Sequence, residues 1–455
     1  MGQGQLALLA TLLLAAGLFG GSSRYDAMQN VLMQPLAWLV AGFAIVLGGW
    51  RGAWRDLRAP LVLLLSLAVL TLLQLVPLGH DLWTSLPGRG PLADIASAIG
   101  SEGARPLSMV PSRTLNALSA MGIPLAALLL MGAIGRGAAY PLLVGIVVLA
   151  ALNLVLAILQ VASGYADATY FYAITNEGAP VGMFANRNHS AVFGALAMLV
   201  IAFLVTRREC RGFPGANVLL WSIYAAVFLT LLVNGSRAGM LTAGIALGAT
   251  ALLLLGSTDE GARDRSAGRA RLVRYLPVAV ILAFTAGLVA LFLMADRLTA
   301  FQRMVDVNLL EDMRFQVLPV LNEMIGAYFP AGTGLGAFET VYRIHETPDL
   351  LGPRYLNMAH NDWLQWVIET GVVGIVLLLA FLVWLGQRLI QLAKRGRDFV
   401  VFGVAVIAIL ALASYFDYPL RTPIFQVIGV WLVCSLALLG RAEESRGQNV
   451  ANAPA

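Results

Sequence analysis

The chain has 455 residues, 59% of them hydrophobic and 12% charged, with a formal net charge of +5. Runs of about twenty apolar residues recur along it, the length that crosses a hydrocarbon layer as a helix, which excludes a soluble globular domain. The excess charge is scattered through loops and forms no basic arm, so nucleic acid is not an expected partner. Lipid offers the backbone no hydrogen bonds, and no ten-residue alternation suggests barrel strands. The expected fold class is therefore all-α: a polytopic integral membrane protein of about twelve transmembrane helices, with 1–455 as a single membrane domain.

The first apolar segment, QLALLATLLLAAGLFGG, follows MGQGQ, which carries no basic side chain, and it is long for a signal-peptide core. It is expected to remain as the first span. Leu6 stands where myristoylation requires Ser or Thr. Apolar runs broken by Gly, Pro and charge place helices near 5–21, 31–49, 60–78, 114–134, 140–163, 189–206, 217–233, 238–256, 276–295, 367–386, 399–416 and 423–440. The loops after even-numbered spans, with the tail, hold eighteen of the thirty basic residues, all arginine except Lys394. Short loops on the other side hold only Arg24, Arg89, Arg105, Arg113, Arg187, Arg237 and Arg421. Both termini are accordingly expected in the cytoplasm. Cys210, in a basic loop, and Cys434, in the last span, have no metal-ligand spacing and imply no disulfide framework.

Two outer excursions are substantial, about 79–113 and 296–366. The second lies between predicted spans 9 and 10 and mixes His345, His360, Arg297, Arg303, Arg314, Arg343 and Arg354 with carboxylates. No internal repeat relates the two halves of the chain.

Five outward segments carry residues capable of chemistry. In VGMFANRNHSAVFG, residues 181–194, the side chains of Asn186, Arg187, Asn188 and His189 gather before span six. They suit sugar hydroxyls or phosphate; equally, Asn188 or Ser190 caps the helix while Arg187 faces water. In LLVNGSRAGML, Arg237 sits in a tight turn that holds its guanidinium near the membrane surface, ready for a fixed anion or for lipid phosphate. Residues 311–339 suggest a surface helix begun by Arg314, with Phe315, Leu318, Leu321, Ile325 and Phe329 on one face, then Pro330 and a turn with glycines at 332, 334 and 336. Those glycines let the backbone pass close to a ligand or pack under a neighbouring helix; with no preceding strand they are not a dinucleotide fingerprint.

AHNDWLQWVIETGVVG, residues 359–374, places His360 and Asn361 at a helix entry. An imidazole at the water boundary can take a proton from an incoming hydroxyl, and can as simply be a polar cap. Asp362 and Glu369 are near enough in sequence to orient it, or are solvated. YFDYPLRTP, residues 415–423, adds Asp417 and Arg421 on the same outer face.

These residues resemble the bacterial O-antigen ligases and the related polysaccharide polymerases. The pattern is a histidine, then Asn, Ser or Gln, nine residues, and G-x-x-G; here it is His360, Asn361, Asp362 to Thr370, then Gly371 and Gly374. The GSRAG turn around Arg237 and the run from Arg314 through the amphipathic helix to the Gly-x-Gly turn are similar too. The likeness covers roughly 181–385. It implies a glycosyltransferase of the bacterial inner membrane that moves a glycan from undecaprenyl pyrophosphate, on the periplasmic side, to a lipid A core or to another lipid-linked glycan. By position it implies that Arg237 and Arg314 bind the pyrophosphate and that His360 is the catalytic base. Arg187, Asn188, Asn361 and Asp417 are secondary candidates.

The chemistry agrees. Cleaving an anomeric carbon from pyrophosphate loads negative charge on the leaving group, which a metal or fixed cations must stabilise. No compact D-x-D carboxylate cluster is present on the outer face, whereas arginine forks match phosphate oxygens. A metal-independent, cofactor-free inverting transfer is expected. Ligase and polymerase share the donor and differ in acceptor, and ligase is slightly favoured. A transporter, the rival of another class, ordinarily shows mid-membrane charges and related halves; here ionisable residues cluster at span ends.

Overall fold

A computed structural model describes residues 1–207, 215–257, 309–352 and 356–440, with the backbone alone for 51–52, 257 and 309–314. The predicted span at 276–295, Cys210, and the loop arginines Arg297, Arg303 and Arg354 lie outside the described residues, as do many of the basic residues on which the sidedness expectation rests.

Among the described residues the regular structure is helical apart from one two-stranded ribbon, β1 (Pro77–Leu78) antiparallel to β2 (Arg105–Pro106). In order the helices are α1 (Gln3–Phe19), α2 (Asn30–Leu47), α3 (Trp50–Leu73), α4 (His80–Thr84), α5 (Gly90–Ala98), α6 (Pro111–Ala120), α7 (Gly122–Ile134) and α8 (Ala139–Ala162). There follow α9 (Arg187–Thr206), α10 (Ala216–Asn234), α11 (Arg237–Ser257), α12 (Leu309–Tyr328), α13 (Phe338–His345), α14 (Asp362–Ala393), α15 (Arg397–Phe416) and α16 (Pro423–Leu439). Among the described residues, nine helical stretches are long and apolar enough to cross a membrane. Two more, α1 and α16, are apolar but 17 residues long. The chain is a polytopic helical membrane protein.

Burial sorts these helices. α9 is buried from His189 to Val205 on every side, as a helix apolar all round must be, and it packs against α8, α10, α11 and α15. α2 and α14 instead present apolar side chains outward, Leu39, Phe43 and Val46 on one and Val376, Leu379 and Val383 on the other, which suits contact with lipid tails. A second, smaller core stands at one end of the bundle, where Val317, Val320, Leu321, Met324 and Tyr328 of α12 meet Phe338, Val341 and Tyr342 of α13 and Ile368 of α14.

Three expectations change. α3 starts at Trp50, so Arg55 and Arg58, read as loop residues, are helical. α14 starts at Asp362, ahead of the predicted 367, so the outer excursion ends beside His360. The buried face of α12 is also rotated in part from the predicted apolar one: of that set Leu321 is buried and Leu318 and Ile325 are half-buried, Phe315 and Phe329 are 66% and 45% exposed, and Val317, Val320, Met324 and Tyr328 complete the buried face. Apolar residues occupy both faces of this helix, so periodicity alone does not choose between them; packing on α13 and α14 does.

Candidate functional site

α14 is two helices joined at a break. Gly371 has φ 58° and ψ −148°, a conformation that favours glycine, and it separates a nine-residue entry piece from the membrane-length remainder. A break inside an apolar bundle frees backbone groups that must find partners. Here the Ile368 carbonyl accepts from Thr333 N–H (2.9 Å), and the Glu369 carbonyl from Gly334 N–H (3.0 Å) and Gln74 Nε2 (3.1 Å). Val372 N–H donates to the Pro330 carbonyl at 2.9 Å. The turn at 332–336 therefore packs under a neighbouring helix, the second of its two predicted uses. Arg89 reaches in from the other excursion to donate to the Gly332 carbonyl at 3.0 Å; burial pushes its pKa down to about 10.

His360 precedes this entry piece without capping it. Asn361 is the cap, its Oδ1 accepting Leu364 N–H at 3.1 Å. His360 has φ 50°, uncommon for a residue with a side chain, and its ring lies against Tyr418 with centroids 4.8 Å apart. Its Nδ1 faces Asp417 Oδ1 at 3.3 Å.

Asp417 is the hub. His189 Nε2 approaches the same Oδ1 at 3.7 Å, Asn188 Nδ2 donates to Oδ2 at 2.7 Å, and the Tyr418 backbone N–H donates to Oδ1 at 3.0 Å. Burial works to raise the Asp417 pKa, but the imidazoles of His189 and His360 outweigh it and hold the carboxyl well below the usual carboxylate range. The two histidines differ in access. His189 is 1% exposed and its Nδ1 engages the Thr422 hydroxyl at 3.0 Å, whereas His360 is 21% exposed. Of these two rings, His360 is the one a substrate can reach.

Asn188 extends the network to a third helix. Ser236 Oγ donates to Asn188 Oδ1 at 2.8 Å and accepts Gly239 N–H at 2.9 Å. Arg237 is the next residue and opens α11, so its turn is tied to His360 through Ser236, Asn188 and Asp417. The cap of α9 is Asn186, which accepts from Asn188 N–H at 2.8 Å; the predicted alternatives, Asn188 and Ser190, do not serve as the cap. Arg187 opens α9 and donates its backbone N–H to Asn176 Oδ1 at 2.9 Å. Arg314 lies on α12, which packs on α14, but its side chain is outside the described residues.

Asp362 and Glu369 face Arg421 and not His360. Arg421 Nε donates to Asp362 Oδ1 (3.0 Å) and its NH1 to Glu369 Oε2 (2.9 Å). Glu369 Oε1 also accepts from Gln365 Nε2 at 3.0 Å. Burial works to lower the Arg421 pKa, and the two carboxylates raise it beyond that effect. The loop between α15 and α16 thus holds the α14 entry piece twice, by Asp417 and by Arg421.

Residues 219–379 match the family model described as O-Antigen ligase. This segment is similar to the O-antigen ligase family. No curated protein matches the chain. Within the matched segment fall Arg237, Arg314, His360, Asp362, Glu369 and Gly371; Asn188, His189, Asp417 and Arg421 lie outside it and meet it in three dimensions.

Proposed function

We propose that this protein is a metal-independent inverting glycosyltransferase, moving a glycan from undecaprenyl pyrophosphate to an acceptor hydroxyl at the periplasmic face of the bacterial inner membrane. The acceptor is a lipid A core or another lipid-linked glycan, ligase being the favoured form. The observation that carries the reading is the His360 Nδ1 to Asp417 Oδ1 contact at 3.3 Å on the partly accessible ring. A carboxylate on Nδ1 favours the tautomer whose Nε2 accepts a proton and stabilises the imidazolium that results.

The acceptor oxygen attacks the anomeric carbon as His360 Nε2 takes its proton. The bond from that carbon to the pyrophosphate oxygen breaks, and the pair of electrons leaves with the pyrophosphate, whose charge Arg237 and Arg314 stabilise. Direct displacement inverts the anomeric centre. One further point supports the metal-free form: two arginines are available in the family pattern.

Purified protein given an undecaprenyl-pyrophosphate-linked glycan and an acceptor lipid tests the proposal. Product forms without an ion gradient, and His360→Ala abolishes it; transport without product overturns the reading. In a null strain, unligated polymer accumulating on the carrier means ligase, and single repeat units on the surface lipid mean polymerase.

A further inference from the structure

A cavity of about 580 Å³ opens beside the His360 loop, bounded by α2, α3, α6, α7, α14, α15 and α16. Asn357 and Met358 line it on one side of His360 in the chain, and Asp362 and Trp363 on the other; Arg237 does not line it. Its long wall is hydrocarbon, with Leu63 and Leu67 of α3 facing Leu377, Phe381 and Leu385 of α14.

The polar end has a definite chemistry. Arg421 is held by Asp362 and Glu369, and Arg113 by Glu339 at 3.5 Å. The lining therefore carries three carboxylates against two guanidiniums, both already paired, and it repels an anion such as pyrophosphate. Three buried atoms there have no hydrogen-bond partner among the described residues: Asp362 Oδ2, Ser414 Oγ and Gln426 Oε1. Asp362 is 9% exposed and Ser414 2%. Two of the three atoms only accept and the third can, and a buried acceptor left unmade is costly. What satisfies them is a set of hydroxyl donors without charge.

An apolar wall joined to a hydroxyl-seeking end describes one ligand class. We propose that this cavity seats the acceptor as a glycolipid, its hydrocarbon chain along α3 and α14 and its sugar hydroxyls on Asp362, Ser414 and Gln426, apart from the donor pyrophosphate. This rests on the transfer reading above, since only a transferase needs a second lipid beside His360.

The probes are an alkyl glucoside and an alkyl phosphate of equal chain length, each with a diazirine in the chain, presented to the full-length protein in phosphatidylcholine nanodiscs. After irradiation, peptide mass spectrometry locates the label. The glucoside should mark the stretches around Leu67 and Phe381, and the phosphate should mark them at least about tenfold less. Joint Ser414→Ala and Gln426→Leu should lower glucoside labelling about tenfold, as expected for two lost hydrogen bonds. Leu67→Trp, which fills the hydrocarbon wall, should abolish it. Equal labelling by both heads, or labelling indifferent to the Ser414 and Gln426 changes, overturns the proposal. His360→Ala separates the two ideas. Transfer lost with labelling kept supports both; active wild-type protein that takes no label at this wall overturns the acceptor site and leaves the transfer reading standing.

Discussion

Asp417 faces the Nδ1 edge of His360 at 3.3 Å, and this leaves Nε2 as the nitrogen directed away from the carboxylate. Asp417→Asn keeps the shape and removes the charge, so the ring loses both its preferred tautomer and its partner when protonated. By the precedent of a histidine deprived of its aspartate, the turnover number for glycan transfer should fall about 10²- to 10⁴-fold while KM for the donor changes little. Steady-state rates with the purified variant check this; an unchanged turnover number would remove Asp417 from the chemistry.

The same carboxyl predicts a response to acid. Its folded pKa is depressed from the ordinary 3.8, so the folded protein binds fewer protons there than the unfolded chain. The stabilisation is fully present above about pH 4 and is lost as pH falls through the folded value. Thermal unfolding in detergent should show wild type more stable than Asp417→Asn at about pH 5, with the gap narrowing below about pH 4. A gap that widens below about pH 4 contradicts the assignment.

The break in α14 predicts a backbone effect. At Gly371 a Cβ would run into the Pro330 carbonyl, and φ there is 58°. Gly371→Ala should cost about 1–3 kcal/mol and shift the His360 entry piece, lowering the melting temperature and the transfer rate together. Gly386→Ala, on the same helix with open space around it, is the control and should be neutral.

Arg421 predicts a charge effect. Arg421→Met leaves the carboxylates of Asp362 and Glu369 buried without their cation, a change that typically costs about 3–5 kcal/mol. Adding Asp362→Asn and Glu369→Gln should recover most of it. Melting temperatures across that series measure the coupling, and strict additivity would argue against it.

Hydropathy made the helices legible, because lipid imposes one backbone solution on every span and eleven predicted spans fall on described helices. Motif spacing likewise singled out His360, Arg237 and the glycines at 371 and 374. Partnership was not legible. Asp362 and Glu369 are closest to His360 in sequence yet belong to Arg421, while Asp417, distant in the chain, supplies the carboxylate. Side-chain pairing across helix ends depends on how the helices pack, which periodicity does not encode. His189 carried a faint signal, a histidine among polar residues at a helix entry, but nothing in sequence distinguishes a buried support from an accessible base.

The account turns on Arg237, Arg314 and His360 sharing one cavity around the donor. A cryo-EM map of the full-length protein with undecaprenyl pyrophosphate bound measures this directly. The pyrophosphate should lie within hydrogen-bond distance, about 3 Å, of both guanidiniums, with His360 Nε2 facing the position of the anomeric carbon. A pyrophosphate bound away from either arginine, or His360 turned from it with its Asp417 contact intact, would contradict it.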